Sequence, residues 1–218
     1  MNTYLPGRVA ERYRGSNVVA FSTGNVYPLT PLTLGAPTEQ DPVGPVGEYA
    51  WSCLGRERMF GFFSEKYGTP VAILRLNYAV EMRYGVLVDL ALAVRDGASV
   101  DLAMGHVNVV WQGYANEVAL RALLHCSTPP ALFNLTGPET VSVRQIATRI
   151  GARLGKEPVF SGEEQGSALL NDAARAHALF GYPSVSLNTM IDWVAAWIAA
   201  GGETHGKPTK FQVRTGRF

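Results

Sequence analysis

The 218-residue chain is 47% hydrophobic and 17% charged, enough apolar material for a sizeable core. Nineteen basic against eighteen acidic residues leave a net charge of +1, and no basic cluster is interleaved with aromatics, so nothing asks for nucleic acid. No apolar run reaches the ~18 residues of a membrane helix, and the opening MNTYLPGRVAERYRG is charged, unlike a signal peptide.

In chain order, residues 2–14 show helical spacing with Tyr4, Val9, Ala10 and Tyr13 on one side, and Gly15-Ser16 ends the run. The stretch 18-VVAFST-23 is the short apolar, β-branched run of a buried parallel strand. Residues 28–48 hold five prolines and no apolar period, which predicts a long loop. Helical spacing returns over 49–67 and stops at Gly68, and 70-PVAILRL-76 is a second buried-type strand. A helix is expected over 85–96, closed by Gly97, then a strand at 107–112, a helix at 114–125 and a strand at 131–136. Ser142 suits the N-cap of a helix running to Leu154. A short strand at 157–160 and helices at 172–180 and 186–200 follow. Trp193 and Trp197, four apart on the last helix, read as core. The polar tail, 201–218, is expected to be loosely attached. Strands alternating with helices predict an α/β fold with a parallel sheet.

The two cysteines, Cys53 and Cys126, form no C-x-x-C pair, and the four histidines are scattered. Neither a disulfide framework nor a metal site is expected, and a reducing cytoplasm is the expected setting.

Three segments hold the candidate chemistry: 21-FSTGNVY-27 at a strand end, the helix that begins near Tyr49, and 73-ILRLNYA-79 at a second strand end. Ligands of open α/β sheets sit beyond the carboxyl ends of the strands, so Thr23, Tyr49 and Asn77 are expected to converge on one crevice. On a helix, Cys53 lies about 40° from Tyr49 and Arg56 about 20° on the other side, while Arg58 falls opposite.

This order of segments resembles the NAD-dependent epimerase/dehydratase family of extended short-chain dehydrogenases/reductases. The resemblance rests on Ser22-Thr23-Gly24-Asn25-Val26-Tyr27, Tyr49-x-x-x-Cys53 and Leu74-Arg75-Leu76. It extends through 134-NLTGPETVSVRQIATRIGARLGKEP-158 and 171-NDAARAHALFGYPSVSLNTMIDWVAAWI-198, nearly the whole chain to about residue 200. It implies a partial Rossmann-like parallel sheet with helices on both faces over residues 1–135, and a small C-terminal α/β substrate segment at 136–200, before the tail.

The implied function is NAD- or NADP-dependent chemistry on a sugar or nucleotide-sugar. Tyr49 would act as general acid/base and the Thr23 hydroxyl would hold the reacting oxygen. Cys53 stands where the family has the lysine that binds the nicotinamide ribose and lowers the tyrosine pKa. A thiol supplies no cation, and a thiolate raises the pKa of a nearby phenol. Arg56, on the tyrosine face, is the residue able to assist; otherwise it pairs with Glu48 or Glu57. Asn77 and Tyr78 are cofactor-binding candidates, with a turn asparagine as the alternative for Asn77. Asn25, Glu81, Arg83, Trp111 and Gln112 are substrate-binding candidates, and Tyr84 stands beside them. The helices at 2–14 and 49–67 occupy positions that pair in family homodimers. No G-x-x-G-x-x-G loop is found among the glycines. This favours a fragment of a longer protein over a shortened relative, and weak or no dinucleotide binding by this chain alone. The competing reading is a non-catalytic ligand-binding relative of the same fold.

Overall fold

The computed structural model describes residues 1–217. The first half holds α1 (Tyr4–Arg12), β1 (Val18–Thr23), β2 (Thr30–Pro31), α2 (Gly47–Tyr67), β3 (Val71–Leu76), β4 (Ala79–Val80), α3 (Val86–Asp96) and β5 (Ser99–Asp101). The second holds β6 (His106–Val107), β7 (Val110–Trp111), α4 (Gln112–Arg121), β8 (Ala131–Leu135), β9 (Val141–Ser142), α5 (Val143–Leu154), β10 (Val159–Ser161), β11 (Ser167–Ala168), α6 (Ala174–Phe180) and α7 (Leu187–Ala199).

The three β-branched and apolar runs form one parallel sheet in the order β1-β3-β8, with Ala20 opposite Ile73 and Leu74 opposite Phe133. Alternate residues serve opposite faces. Ala20, Val71 and Ile73 pack with Ala10 of α1 and Phe60 of α2. Ala72, Leu74 and Phe133 pack with Tyr114 and Val118 of α4 and with Ala176 and Phe180 of α6. Burial on both faces is why these strands lack polar alternation. The sheet is thus Rossmann-like and carries helices on both sides. A larger cluster lies beyond it, where α3, α5 and α7 bring together Leu87, Leu90, Ile146, Ile150, Ile191 and Val194.

Local signals act as expected at several ends. The Ser142 hydroxyl accepts the Gln145 N–H at the start of α5. Gly68 ends α2 and Gly97 ends α3, both in the left-handed conformation that glycine adopts without strain.

Three expectations change. The strand expected at 107–112 is two separate pieces: β6 pairs antiparallel with β9, and β7 pairs parallel with β4. The helix expected at 114–125 begins at Gln112 and tightens after Arg121 into a 3-10 turn. Trp193 is 41% exposed, so it caps the core edge-on to Trp111 instead of filling it.

The tail departs further from expectation. Phe211 is 5% exposed within the large cluster. The Thr209 N–H and hydroxyl both donate to Asp89 Oδ2, at 2.8 and 2.6 Å. Arg214 donates to the carbonyls of Ser167 and Ala103. Residues 205–214 are therefore a strap tied across the protein.

One polar network crosses the sheet. Arg75 of β3 meets Glu57 of α2 through Nη2 to Oε2 at 2.8 Å and Nε to Oε1 at 3.0 Å, with both side chains under 8% exposed. The Ser22 hydroxyl donates to the same Oε1. Arg75 Nη1 donates to the Tyr27 hydroxyl at 2.7 Å, which donates to Asn134 Oδ1 at 2.8 Å. Asn134 Nδ2 then reaches the Pro37 and Asp172 carbonyls.

A buried ion pair loses heavily when one member is removed, because the other charge is left without a partner. Arg75→Met is expected to lower the unfolding free energy by about 3–5 kcal/mol in urea. Glu57→Leu combined with Arg75→Met is expected to recover part of that loss. A single-variant loss below about 1 kcal/mol would show that Glu57 is not stranded.

Candidate active site

Where β1 and β3 end, the chain turns sharply and leaves a cleft of about 460 Å³. Its walls include Thr23 and Asn25 after β1, Tyr49 from the first turn of α2, and Asn77 and Tyr78 after β3. Tyr84, Gly85 and Val86 at the start of α3 and residues 207–211 of the strap complete it. The expected convergence of Thr23, Tyr49 and Asn77 is what the fold produces.

Each position has a local cause. Thr23 caps the 3-10 turn Gly24–Val26, its hydroxyl oxygen accepting the Asn25 N–H at 3.2 Å. That turn packs tightly on Asn77, since a Cβ on Gly24 would come within 3.0 Å of its side chain. Asn77 is 2% exposed, and its amide reaches the Leu169 carbonyl at 3.4 Å, so it does not serve the local turn. Its backbone N–H donates to Leu135 O, tying the ends of β3 and β8. Tyr78 adopts φ 42°, a left-handed conformation rare for a bulky side chain. Strain of this kind concentrates at ligand sites. Burial pushes the Tyr78 phenol well above its ordinary range.

Although Tyr49 is 45% exposed, its phenol is pushed up to about 12, first by local desolvation and then by the neighbouring Cys53 sulfur, which as a thiolate would repel a phenolate. Arg56 and a hydrogen bond with the Thr23 hydroxyl act the other way but do not prevail. Thr23 and Tyr49 stand together on the same wall of the cleft.

Other sequence candidates lie elsewhere. Cys53 is 0% exposed, packed with Val26, Tyr27 and Leu54, so its side chain reaches Tyr49 but not the cleft. Arg56 donates to the Phe21 carbonyl and to Asn2 Oδ1 and pairs with neither Glu48 nor Glu57. Glu81 and Arg83 pair with each other at 3.1 Å in the turn that presents Tyr84, and His205 approaches the same carboxylate. Trp111 packs on Trp193, and Gln112 opens α4 at the surface, because β7 ends straight into that helix. None of Glu81, Arg83, Trp111 and Gln112 lines the cleft.

Sequence reasoning missed Lys207, Lys210 and Phe211, which line the cleft from the strap. Their only sequence signal was Phe211, an apolar residue inside a polar stretch. Among the described residues, no group of three or more His, Cys, Asp or Glu is placed to hold a metal, and no helix is long and apolar enough to cross a membrane.

No protein-family model matches the chain, and no curated protein does. Solved structures do match. The Thermus thermophilus UDP-glucose 4-epimerase, solved with NAD, is 20% identical, with a TM-score of 0.75 over 89% of this chain and 68% of that one. The Bacillus cereus UDP-glucuronic acid 4-epimerase, solved with UDP-glucuronic acid and NAD, is 18% identical, with a TM-score of 0.78 over 91% and 67%. The Bordetella bronchiseptica enzyme WbmH, solved with NAD+, is 17% identical, with a TM-score of 0.73 over 90% and 67%. At these identities the likeness is one of fold.

The folded pKa of Tyr49, about 12, exceeds the ordinary 10.0, so the folded state holds the phenolic proton more tightly. The stability this contributes is complete below pH ~10 and is lost as pH rises toward about 12. In absorbance titrations at 295 nm, with the Tyr49→Phe trace subtracted, Cys53→Ala is expected to shift the Tyr49 transition down and Arg56→Ala to shift it up. Unchanged transitions in both variants would remove Cys53 and Arg56 as its causes.

Proposed function

We propose that the cleft performs NAD(P)-dependent chemistry on a sugar or nucleotide-sugar, with Tyr49 as the proton-moving group and Thr23 holding the reacting oxygen. The observation that carries this reading is the placement of Thr23, Tyr49 and Asn77 around one cleft beyond the carboxyl ends of two parallel strands. The fold shared with three NAD-bound structures supports it.

The residues present suit the reacting end of a dinucleotide. Tyr49 and Tyr78 offer hydroxyls, and Asn77 forms part of the floor. A bound nicotinamide would supply hydride exchange at the substrate carbon. No glycine-rich loop in this chain offers a seat for the pyrophosphate. A phenol held protonated to about pH 12 donates rather than accepts at neutral pH. This favours Tyr49 giving a proton to a carbonyl oxygen over Tyr49 taking one from a hydroxyl. The same raised pKa favours the second reading, a ligand-binding relative that no longer turns over.

The proposal extends to a homodimer through α1 and α2. Trp51 and Phe62 are 54% and 56% exposed. Eleven residues apart, they lie within about 20° of each other around α2. Tyr4 and Leu5 of the adjoining α1 are also exposed. Apolar surface of this extent suits a twofold partner.

With millimolar NAD or NADP, conversion of UDP-glucose or UDP-glucuronic acid, followed by anion-exchange chromatography, is expected to fall about 100-fold in Tyr49→Phe. Conversion that Tyr49→Phe leaves unchanged removes the assignment, and no conversion at a cofactor concentration shown to saturate the chain selects the binding reading. Calorimetry is expected to give weak cofactor affinity or none; micromolar affinity would contradict this. Trp51→Glu is expected to turn a dimer into a monomer in sedimentation, while a monomer before substitution rejects the interface.

A further inference from the structure

The cleft has two chemically different walls. One carries the Thr23 hydroxyl and the Tyr49 phenol. The other is the strap, which contributes Lys207 and Lys210. Among the described residues that line the cleft these are the only charged side chains, and the nearest carboxylate behind them, Asp89, is taken up by two hydrogen bonds from Thr209, so the lining itself is cationic.

The strap is held firmly enough for those charges to have a place. Thr209, between the two lysines, is bonded twice to Asp89. Phe211, next to Lys210, is buried in the large cluster. The His205 N–H donates to the Arg83 carbonyl at 3.1 Å. Lys210 itself adopts φ 56°, and the Val213 N–H closes a turn onto its carbonyl. A lysine takes that left-handed conformation only where flanking contacts impose it.

Neither lysine enters an ion pair among the described residues. The charged neighbours that act on the Tyr49 phenol are Cys53 and Arg56, not the lysines. The strap charges therefore do not stand in for the family's lysine. They act on whatever fills the space between the walls.

We propose that Lys207 and Lys210 make the cleft a receptor for a small sugar-type ligand bearing a phosphate or carboxylate, with the anion at the strap and a hydroxyl or carbonyl at Thr23 and Tyr49. The inference deepens the reading of this cleft given above, but it requires neither a dinucleotide nor turnover.

The test is an NMR titration of the chain at low salt with glucose 1-phosphate, glucuronate and uncharged glucose. At least one anionic sugar is expected to bind, more weakly as salt rises, while glucose does not. The anion that binds more tightly identifies the group. Lys207→Gln combined with Lys210→Gln is expected to weaken that binding roughly tenfold. Thr209→Val keeps both charges but loosens the strap, and is expected to cost about threefold. No anion binding, glucose binding equal to the anions, or full affinity in the double variant would each overturn the proposal. Anion binding without sugar-nucleotide conversion leaves it standing and counts against the enzymatic reading alone. Conversion without anion binding does the reverse.

Discussion

The buried pair between Glu57 and Arg75 fixes how α2 sits on the sheet, and the cleft follows from that. Glu57 lies eight residues after Tyr49 on the same helix. Once its carboxylate is held by Arg75 and Ser22, the rotation of α2 has little freedom. That rotation puts Cys53 inward against Tyr27 and leaves Tyr49 at the cleft wall. Arg75 meanwhile sits two residues before Asn77, so the same pair sets where β3 ends and the cleft floor begins. Its other arm, through Tyr27 to Asn134, ties in β8 and the segment at Asp172. Ser22, Glu57, Arg75, Tyr27 and Asn134 each have a partner within this network, which is the condition under which a buried charge is tolerated.

Around Tyr49 the electrostatics run against a general base. Burial and Cys53 outweigh Arg56 and Thr23, and the phenol is protonated to about pH 12. The Arg56 guanidinium is anchored at Phe21 O and Asn2 Oδ1, neutral acceptors that fix its place without cancelling its charge. The Val18 N–H faces β3, donating to Pro70 O, so alternate residues such as Phe21 turn their carbonyls toward the other edge. Arg56 thus covers part of an edge that pairs with no strand among the described residues.

The parts legible in the sequence are those with a long repeat or a strong stop. The runs at 18–23, 70–76 and 131–136 read as buried strands because both faces are covered, and α2 and α3 end at glycines in left-handed geometry. The helical period put Tyr49, Cys53 and Arg56 on one face. It could not tell that Glu57, one residue on, would meet Arg75, since that pairing depends on how far α2 slides along the sheet. The pieces β6 and β7 are two residues each, too short for any periodicity. The strap was illegible for a different reason. Thr209, Phe211 and Arg214 each hold it by isolated contacts with Asp89, the large core cluster and Ser167, distant in sequence.

The size of the cleft constrains what these residues can do. About 460 Å³ holds a sugar-sized ring and part of a second group, but not a whole dinucleotide with a nucleotide-sugar. In the proposed reading, the hydroxyls and the strap lysines therefore act on the reacting end of a ligand. Remote binding energy, which holds a substrate in reactive register, has to come from groups beyond this lining. Reactivity and affinity are thus separable here. In the proposed reading, Tyr49 governs whether a proton moves, and the strap governs which ligand stays long enough for it to matter.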